Sequence, residues 1–151
     1  MRKNSNLKIS PSVVMVFGTF DIFHRGHRHF LREAKKRGDN LIVVIARDVT
    51  VEKVKRKRPL YTEKERRQAV QESGLAEKVI LGNRKDKYAV IRKYRPQVIA
   101  LGYDQKFFVD KLQDKLKEFN LNNTQVVRLT AYYPQKYKSS LLRKGNEKKI
   151  L

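Results

Sequence analysis

His24 and His27 stand three residues apart with Gly26 between them, directly after the stretch Gly18–Thr19–Phe20–Asp21. An apolar run ends at Gly18 and a helix-like pattern begins near Gly26, so the pair falls at a strand-to-helix junction. A helix N-terminus has unpaired N–H groups and a partial positive charge, which suits an oxyanion. Each imidazole can add a ring N–H in the same place, and a glycine lets backbone and ligand approach closely. The chemistry this points to is phosphate binding. His27 precedes Phe30 and Leu31 by three and four residues, which puts it on the helix stripe that faces the sheet. Two plainer readings also exist: histidines that cap a helix or sit at the surface, and a metal pair. Zinc wants a third protein ligand with its own support and the chain has no cysteine, so no metal ligand is expected here.

The elements that position these residues follow from patterning. Residues 13–17 (VVMVF) and 41–46 (LIVVIA) are short apolar runs rich in β-branched residues, the mark of buried parallel strands. Between them lies a helix with Phe30, Leu31 and Ala34 on one stripe and Gly38 as its stop. Residues 48–61 are basic and Pro-terminated, with little apolar periodicity, and read mostly as loop. Thr62 and Glu65 form a capping box that opens a helix ending near Gly74. Strands are expected at 78–82, 97–102 and 125–129. Helices are expected at 85–95, stopped before Pro96, at 109–119, and again from Ser139 or Ser140. Alternation of strand and helix argues a single α/β domain: a Rossmann-like parallel sheet of about five strands, helices on both faces and right-handed crossovers. The domain is expected over 12–144, with a basic arm at 1–11 and a frayed tail at 145–151. In such sheets ligands bind beyond the carboxyl ends of the strands, where the 18–27 turn, the basic loop, and the turns 82–86 and 102–105 collect.

With no cysteine there is no disulfide framework and no thiol nucleophile. The N-terminal stretch lacks an apolar secretory core and no apolar run reaches membrane-spanning length, so a soluble cytoplasmic protein with no membrane partner is expected. A net charge of +21 implies polyanionic partners, and charge alone does not choose among phosphorylated small molecules, anionic membrane surfaces and nucleic acid bound non-specifically.

The stretch GTFDIFHRGH resembles the signature of the HxGH nucleotidyltransferases, in their cytidylyltransferase-like branch, and the resemblance extends over about residues 13–143. It implies a Rossmann-like enzyme, commonly a homodimer, that transfers a nucleoside monophosphate from ATP or CTP, with Mg2+, to a phosphorylated acceptor and releases pyrophosphate. By that resemblance His24 and His27 are catalytic, binding the triphosphate and stabilising the transition state at the α-phosphate. Gly18, Thr19, Phe20 and Gly26 form the phosphate turn, and Asp21 braces it or lies near the metal-bound nucleotide. Lys55 and Lys57, counted back from the Glu65–Arg66 pair, reach the phosphates; Lys57 and Arg66, the family's helix-opening arginine, are by the same resemblance catalytic. Gly102 and Asp104 hold the nucleoside. Ser139 and Ser140 match the closing hydroxyl segment, although Leu141 stands where many members have threonine. Many members also carry a second arginine eight residues after Arg66, where this chain has Gly74.

GYDQ at 102–105, in place of GDDW, leads away from glycerol-3-phosphate cytidylyltransferase. VVIARD (43–48), LGNRKDK (81–87) and the spacing from VVR (126–128) to the serine pair resemble archaeal-type FAD synthases, which adenylate FMN from ATP. Some of those carry cysteines before the closing serines; this chain has none. The alternatives are a CTP-dependent enzyme acting on glycerol 3-phosphate or a similar polyol phosphate, and a nucleic-acid-binding protein on an inactive transferase fold.

Overall fold

The computed structural model describes residues 11–106 and 109–130. Its elements run β1 (Val13–Gly18), α1 (Arg25–Lys35), β2 (Asn40–Ile45), α2 (Asp48–Lys55), α3 (Glu63–Glu72), β3 (Lys78–Leu81), α4 (Ala89–Tyr94), β4 (Val98–Leu101), α5 (Val109–Glu118) and β5 (Gln125–Arg128). The five strands form one parallel sheet in the order β3-β2-β1-β4-β5. The chain first winds outward from β1 through β2 to β3, then returns across β1 to lay down β4 and β5. With right-handed crossovers, that reversal of direction must switch the connecting helices to the other face of the sheet.

The packing shows this switch. On one face Val14, Val16, Leu41, Val43 and Ile45 meet Leu31 and Ala34 of α1 and Val70 of α3. On the other, Met15, Ile42, Val44, Ile99 and Leu101 meet Val90 and Ile91 of α4 and Leu112 and Leu116 of α5. The strict alternation along β1 and β2 is why these strands read as continuous apolar runs: both faces are covered. Among the described residues no helix is long and apolar enough to cross a membrane.

Two segments depart from their sequence patterns. Residues 48–55, expected as loop, form α2. That helix buries only Val51 and its Val and Thr residues are poor helix formers, so it has neither stripe nor propensity to announce it. Helix α4 begins at Ala89 and not near 85, because the preceding residues form side-chain turns. Asn83 Oδ1 accepts the N–H groups of Lys85 and Asp86 at 2.8 and 2.9 Å, and Asp86 Oδ1 accepts that of Tyr88 at 2.9 Å. The box at Thr62 and Glu65 is formed reciprocally, and Gly74 takes the left-handed conformation (φ 71°) just past α3. The serine pair at 139–140, the helix expected there, the N-terminal arm but for Pro11, and the tail lie outside the described residues.

Leu31 is fully enclosed where α1 meets β1 and β2, and it sets how α1 approaches the sheet. Leu31→Ala should destabilise the protein by about 2–5 kcal/mol. Urea denaturation should show the midpoint falling with little change in slope.

Candidate active site

At the carboxyl end of β1 the chain makes a tight turn that only certain residues allow. A Cβ on Gly18 would come within 2.6 Å of the Phe20 ring, and Phe20 itself sits at φ 53°. A buried aromatic thus occupies a conformation that is costly for an L-residue, and its burial offsets the cost. The chain then enters α1 with His24 as N-cap. His24 Nδ1 accepts the Gly26 N–H at 3.0 Å, and His27 Nδ1 accepts the His24 N–H at 3.3 Å. The two rings stack, centroids 3.8 Å apart. Phe23 stacks on the far side of His27 and Phe20 meets it edge-on.

This cap settles the chemistry of both rings. A ring nitrogen that accepts a hydrogen bond carries no proton, so each neutral imidazole holds its proton on Nε2 and is a donor there. Burial lowers the His24 pKa to about 4. Burial, followed by the charges of His24 and Lys55, lowers that of His27 to about 3, against a hydrogen bond to the Ile22 backbone. Both are neutral donors near pH 7. The capping reading of the sequence holds: Nδ1 of each ring accepts a cap hydrogen bond, and the His27 ring is also hydrogen-bonded to the Ile22 backbone. Gly26 enters through its N–H, which is engaged by His24.

Behind the turn lies Arg66, 1 % exposed. Its Nε donates to Tyr61 O at 3.0 Å, Nη1 to Thr19 O at 2.8 Å, and Nη2 to Asp48 Oδ1 at 2.7 Å. A guanidinium enclosed in this way does not face an incoming phosphate; it fixes the turn, the loop end and the start of α2 against one another. Asp21 completes the arrangement by accepting the N–H groups of Leu60 and Tyr61 at 2.8 and 2.9 Å. Asp48 and Glu63 exchange caps between α2 and α3, and Arg47 binds both Glu63 and Gly82 O. Although burial opposes it, the Asp48 N–H and the Arg47 guanidinium hold Glu63 below the usual carboxylate range. The basic segment between these anchors is therefore held at both ends. Lys55 closes α2 near enough to His27 to depress its pKa, Lys57 is exposed two residues on, and Arg58 pairs with Glu52.

The second half of the site lies across the sheet's point of reversal. β1 and β4 pair only at Val14–Val98 and Met15–Ile99, while β4 continues to pair with β5 as far as Leu101–Arg128. The carboxyl ends of β1 and β4 therefore part, with the turn at 18–20 following one and the turn at 102–105 following the other. Arg128 Nη1 donates to Gly102 O at 2.7 Å and Gln105 O at 2.8 Å, leaving Asp104 exposed at the tip. Sequence reading missed Arg128, Asp48, Glu63 and Gln105 as supports. Asp48 and Glu63 carry a faint signal, acidic residues opening helices; a side chain on backbone carbonyls carries none.

The chain matches the cytidylyltransferase-like family over residues 15–145. It belongs to that family. The FAD synthase of Aciduliprofundum boonei is 44% identical over 119 residues, covering 79% of this chain and 78% of the relative. That of Thermoplasma acidophilum is 42% identical over 131 residues, covering 87% and 91%. Among solved structures, a protein of Thermoplasma volcanium described as a lipopolysaccharide core biosynthesis protein superposes with a TM-score of 0.75 at 38% identity, covering 82% of this chain and 99% of that one. Cytidylyltransferase-like proteins are nucleotidyltransferases, and this chain is one. Its described residues contain no group of three or more His, Cys, Asp or Glu side chains placed to hold a metal ion.

Two outcomes follow from this geometry. Arg66→Ala strands Asp48 and two carbonyls in a buried site and should cost about 3–5 kcal/mol in chemical denaturation. Arg66→Lys should recover little, since one ammonium cannot span three separated acceptors. The histidines set a pH dependence as well. Their folded pKa values lie below the ordinary 6.5, so on acidification the unfolded chain takes up protons first. Their contribution is complete above about pH 6.5 and is lost as pH falls toward 4 and 3. The urea midpoint should drop between pH 7 and 5, and the double substitution His24→Asn, His27→Asn should flatten that drop.

Proposed function

We propose that this protein is an FAD synthase, transferring AMP from MgATP to the phosphate of FMN and releasing pyrophosphate. The observation that carries the chemistry is the pair of stacked, tautomer-locked imidazoles at the end of β1, whose Nε2–H groups are donors beside a helix N-terminus. The acceptor and donor come from the archaeal FAD synthases, which are similar to this chain along most of both lengths.

An oxygen of the FMN phosphate attacks the α-phosphorus of ATP in line. A P–O bond forms on one side as the bond to the β-phosphate oxygen breaks on the other, and pyrophosphate departs with Mg2+. The attacking phosphate is already anionic, so no general base is needed, and catalysis consists of positioning and charge stabilisation. His24 and His27 donate to the α-phosphate oxygens and the departing bridge. The Thr19 and Phe20 amides beyond Gly18 support the phosphates, Lys55 and Lys57 neutralise the triphosphate, Gly102 and Asp104 hold the nucleoside, and Ser139 and Ser140 close over it. Arg66, Asp21 and Gly26 act as positioning residues: Arg66 holds Thr19 O, Asp21 holds the lysine loop, and Gly26 fixes the His24 ring.

ATP and CTP, each offered with FMN and with glycerol 3-phosphate, distinguish the readings when products are separated by chromatography. FAD from ATP and FMN should form fastest; faster turnover with CTP and glycerol 3-phosphate would overturn the FAD synthase reading and leave nucleotidyl transfer standing. His27→Ala should lower kcat by about 10²–10³, the scale of one lost oxyanion donor. His27→Asn keeps an acceptor for the His24 N–H but lacks the distal donor, and should be as slow as alanine. His29→Ala should be close to wild type. Lys55→Ala with Lys57→Ala should raise KM for ATP while the thermal midpoint stays put.

A further inference from the structure

Beyond Met15 and Ile99 no backbone ladder joins β1 to β4, yet one side chain bridges the gap. Gln105 Nε2 donates to Phe17 O at 3.1 Å, and Gln105 Oε1 accepts the Gly102 N–H at 3.2 Å. The carboxamide thus does what a peptide group of an intervening strand would do, offering one donor and one acceptor between two separated backbones. The reverse orientation would set oxygen against the Phe17 carbonyl and NH2 against the Gly102 N–H, so chemistry allows only the orientation seen.

The location gives this rung its importance. Phe17 immediately precedes the Gly18–Phe20 turn, and Gly102 opens the turn that carries Asp104. The Gln105 backbone is itself fixed, its N–H donating to Gly102 O at 3.2 Å and its carbonyl accepting from Arg128 at 2.8 Å. With both its main chain and its amide held, the side chain has one length and one direction. We propose that Gln105 is a positioning residue that sets the separation between the phosphate turn and the nucleoside turn, and so the length of nucleotide that the site holds. It acts through Phe17 and Gly102, and makes no contact with the reacting atoms. The proposal rests on the nucleotidyltransferase reading of the site and deepens it by naming what aligns the nucleotide donor.

Gln105→Glu tests this with almost no change in volume. A carboxylate still accepts from Gly102 but turns an oxygen on the Phe17 carbonyl, so the rung opens on the β1 side. Displacements of this kind are costly because rate depends steeply on alignment. Gln105→Glu and Gln105→Ala should each lower kcat/KM for ATP by about 10–100-fold, while KM for FMN stays within about twofold and the thermal midpoint moves by only a few degrees. Equilibrium binding of a non-hydrolysable ATP analogue, without FMN present, should weaken in parallel. Should Gln105→Ala fail to fold, Gln105→Glu decides the matter alone. Unchanged ATP kinetics in a folded variant would overturn the proposal, as would equal losses for ATP and FMN accompanied by a large fall in thermal midpoint, which mark general loosening. Absence of FAD formation by the wild-type enzyme instead strikes the FAD synthase reading, and the analogue-binding measurement still judges Gln105.

Discussion

The contact on which the rest depends is the enclosed guanidinium of Arg66. Three segments far apart in sequence end there: the turn after β1, the loop before α3 and the first residue of α2. A buried charge is expensive to desolvate, and it persists because it is paired with Asp48 and hydrogen-bonded to two carbonyls at once. Such an arrangement contributes little net stability compared with an apolar core of the same volume. Its value is definition: a planar fork accepts only one relative placement of its partners. The Thr19 carbonyl is one of those partners, so the turn after β1 takes its orientation from a residue enclosed behind it.

The histidine pair shows how a local rule can carry two functions. An N-cap needs an acceptor, and serine, threonine, aspartate or asparagine usually supplies it. Here imidazole supplies it through Nδ1, and the second nitrogen of the neutral ring carries the proton. An aspartate in the same place would cap as well and would repel an anion. The low pKa values belong to the same design, since a protonated Nδ1 would break the cap that orients the ring.

Much of this was legible in the sequence. The central strands announced themselves because both faces of the sheet are covered, and α3 because Thr62 with Glu65 marks its start and Gly74 its stop. The junction at 18–27 was legible because residue type and spacing together specify both backbone and ligand. Helix α2 was not: it is held from outside, by Glu63 and Arg66, and a helix stabilised by partners distant in sequence leaves no periodic trace. Arg66 was visible as a residue but not as a buried one, because an arginine opening an amphipathic helix looks the same whether it faces an anion or three backbone-anchored acceptors. Gln105 is legible as part of the turn at 102–105, but its meaning depends on β1 and β4 parting, which no pattern within either strand records.

The strand order has a consequence for synthesis. Every residue of the Arg66 arrangement lies between 19 and 66, whereas the partner of β1 on its other side begins at Val98. A chain emerging from its N-terminus can therefore close the phosphate half of the site while one edge of its most apolar central strand is still bare. A bare, flat, apolar edge is a template for intermolecular pairing, and parallel sheets are slow to complete. The stretch made by then, residues 1–98, holds 25 Lys and Arg against 10 Asp and Glu, a net charge of +15, and like charge repels its copies throughout that interval. The excess of lysine and arginine thus serves the unfinished molecule as a guard against association, in addition to anything it does for the finished one.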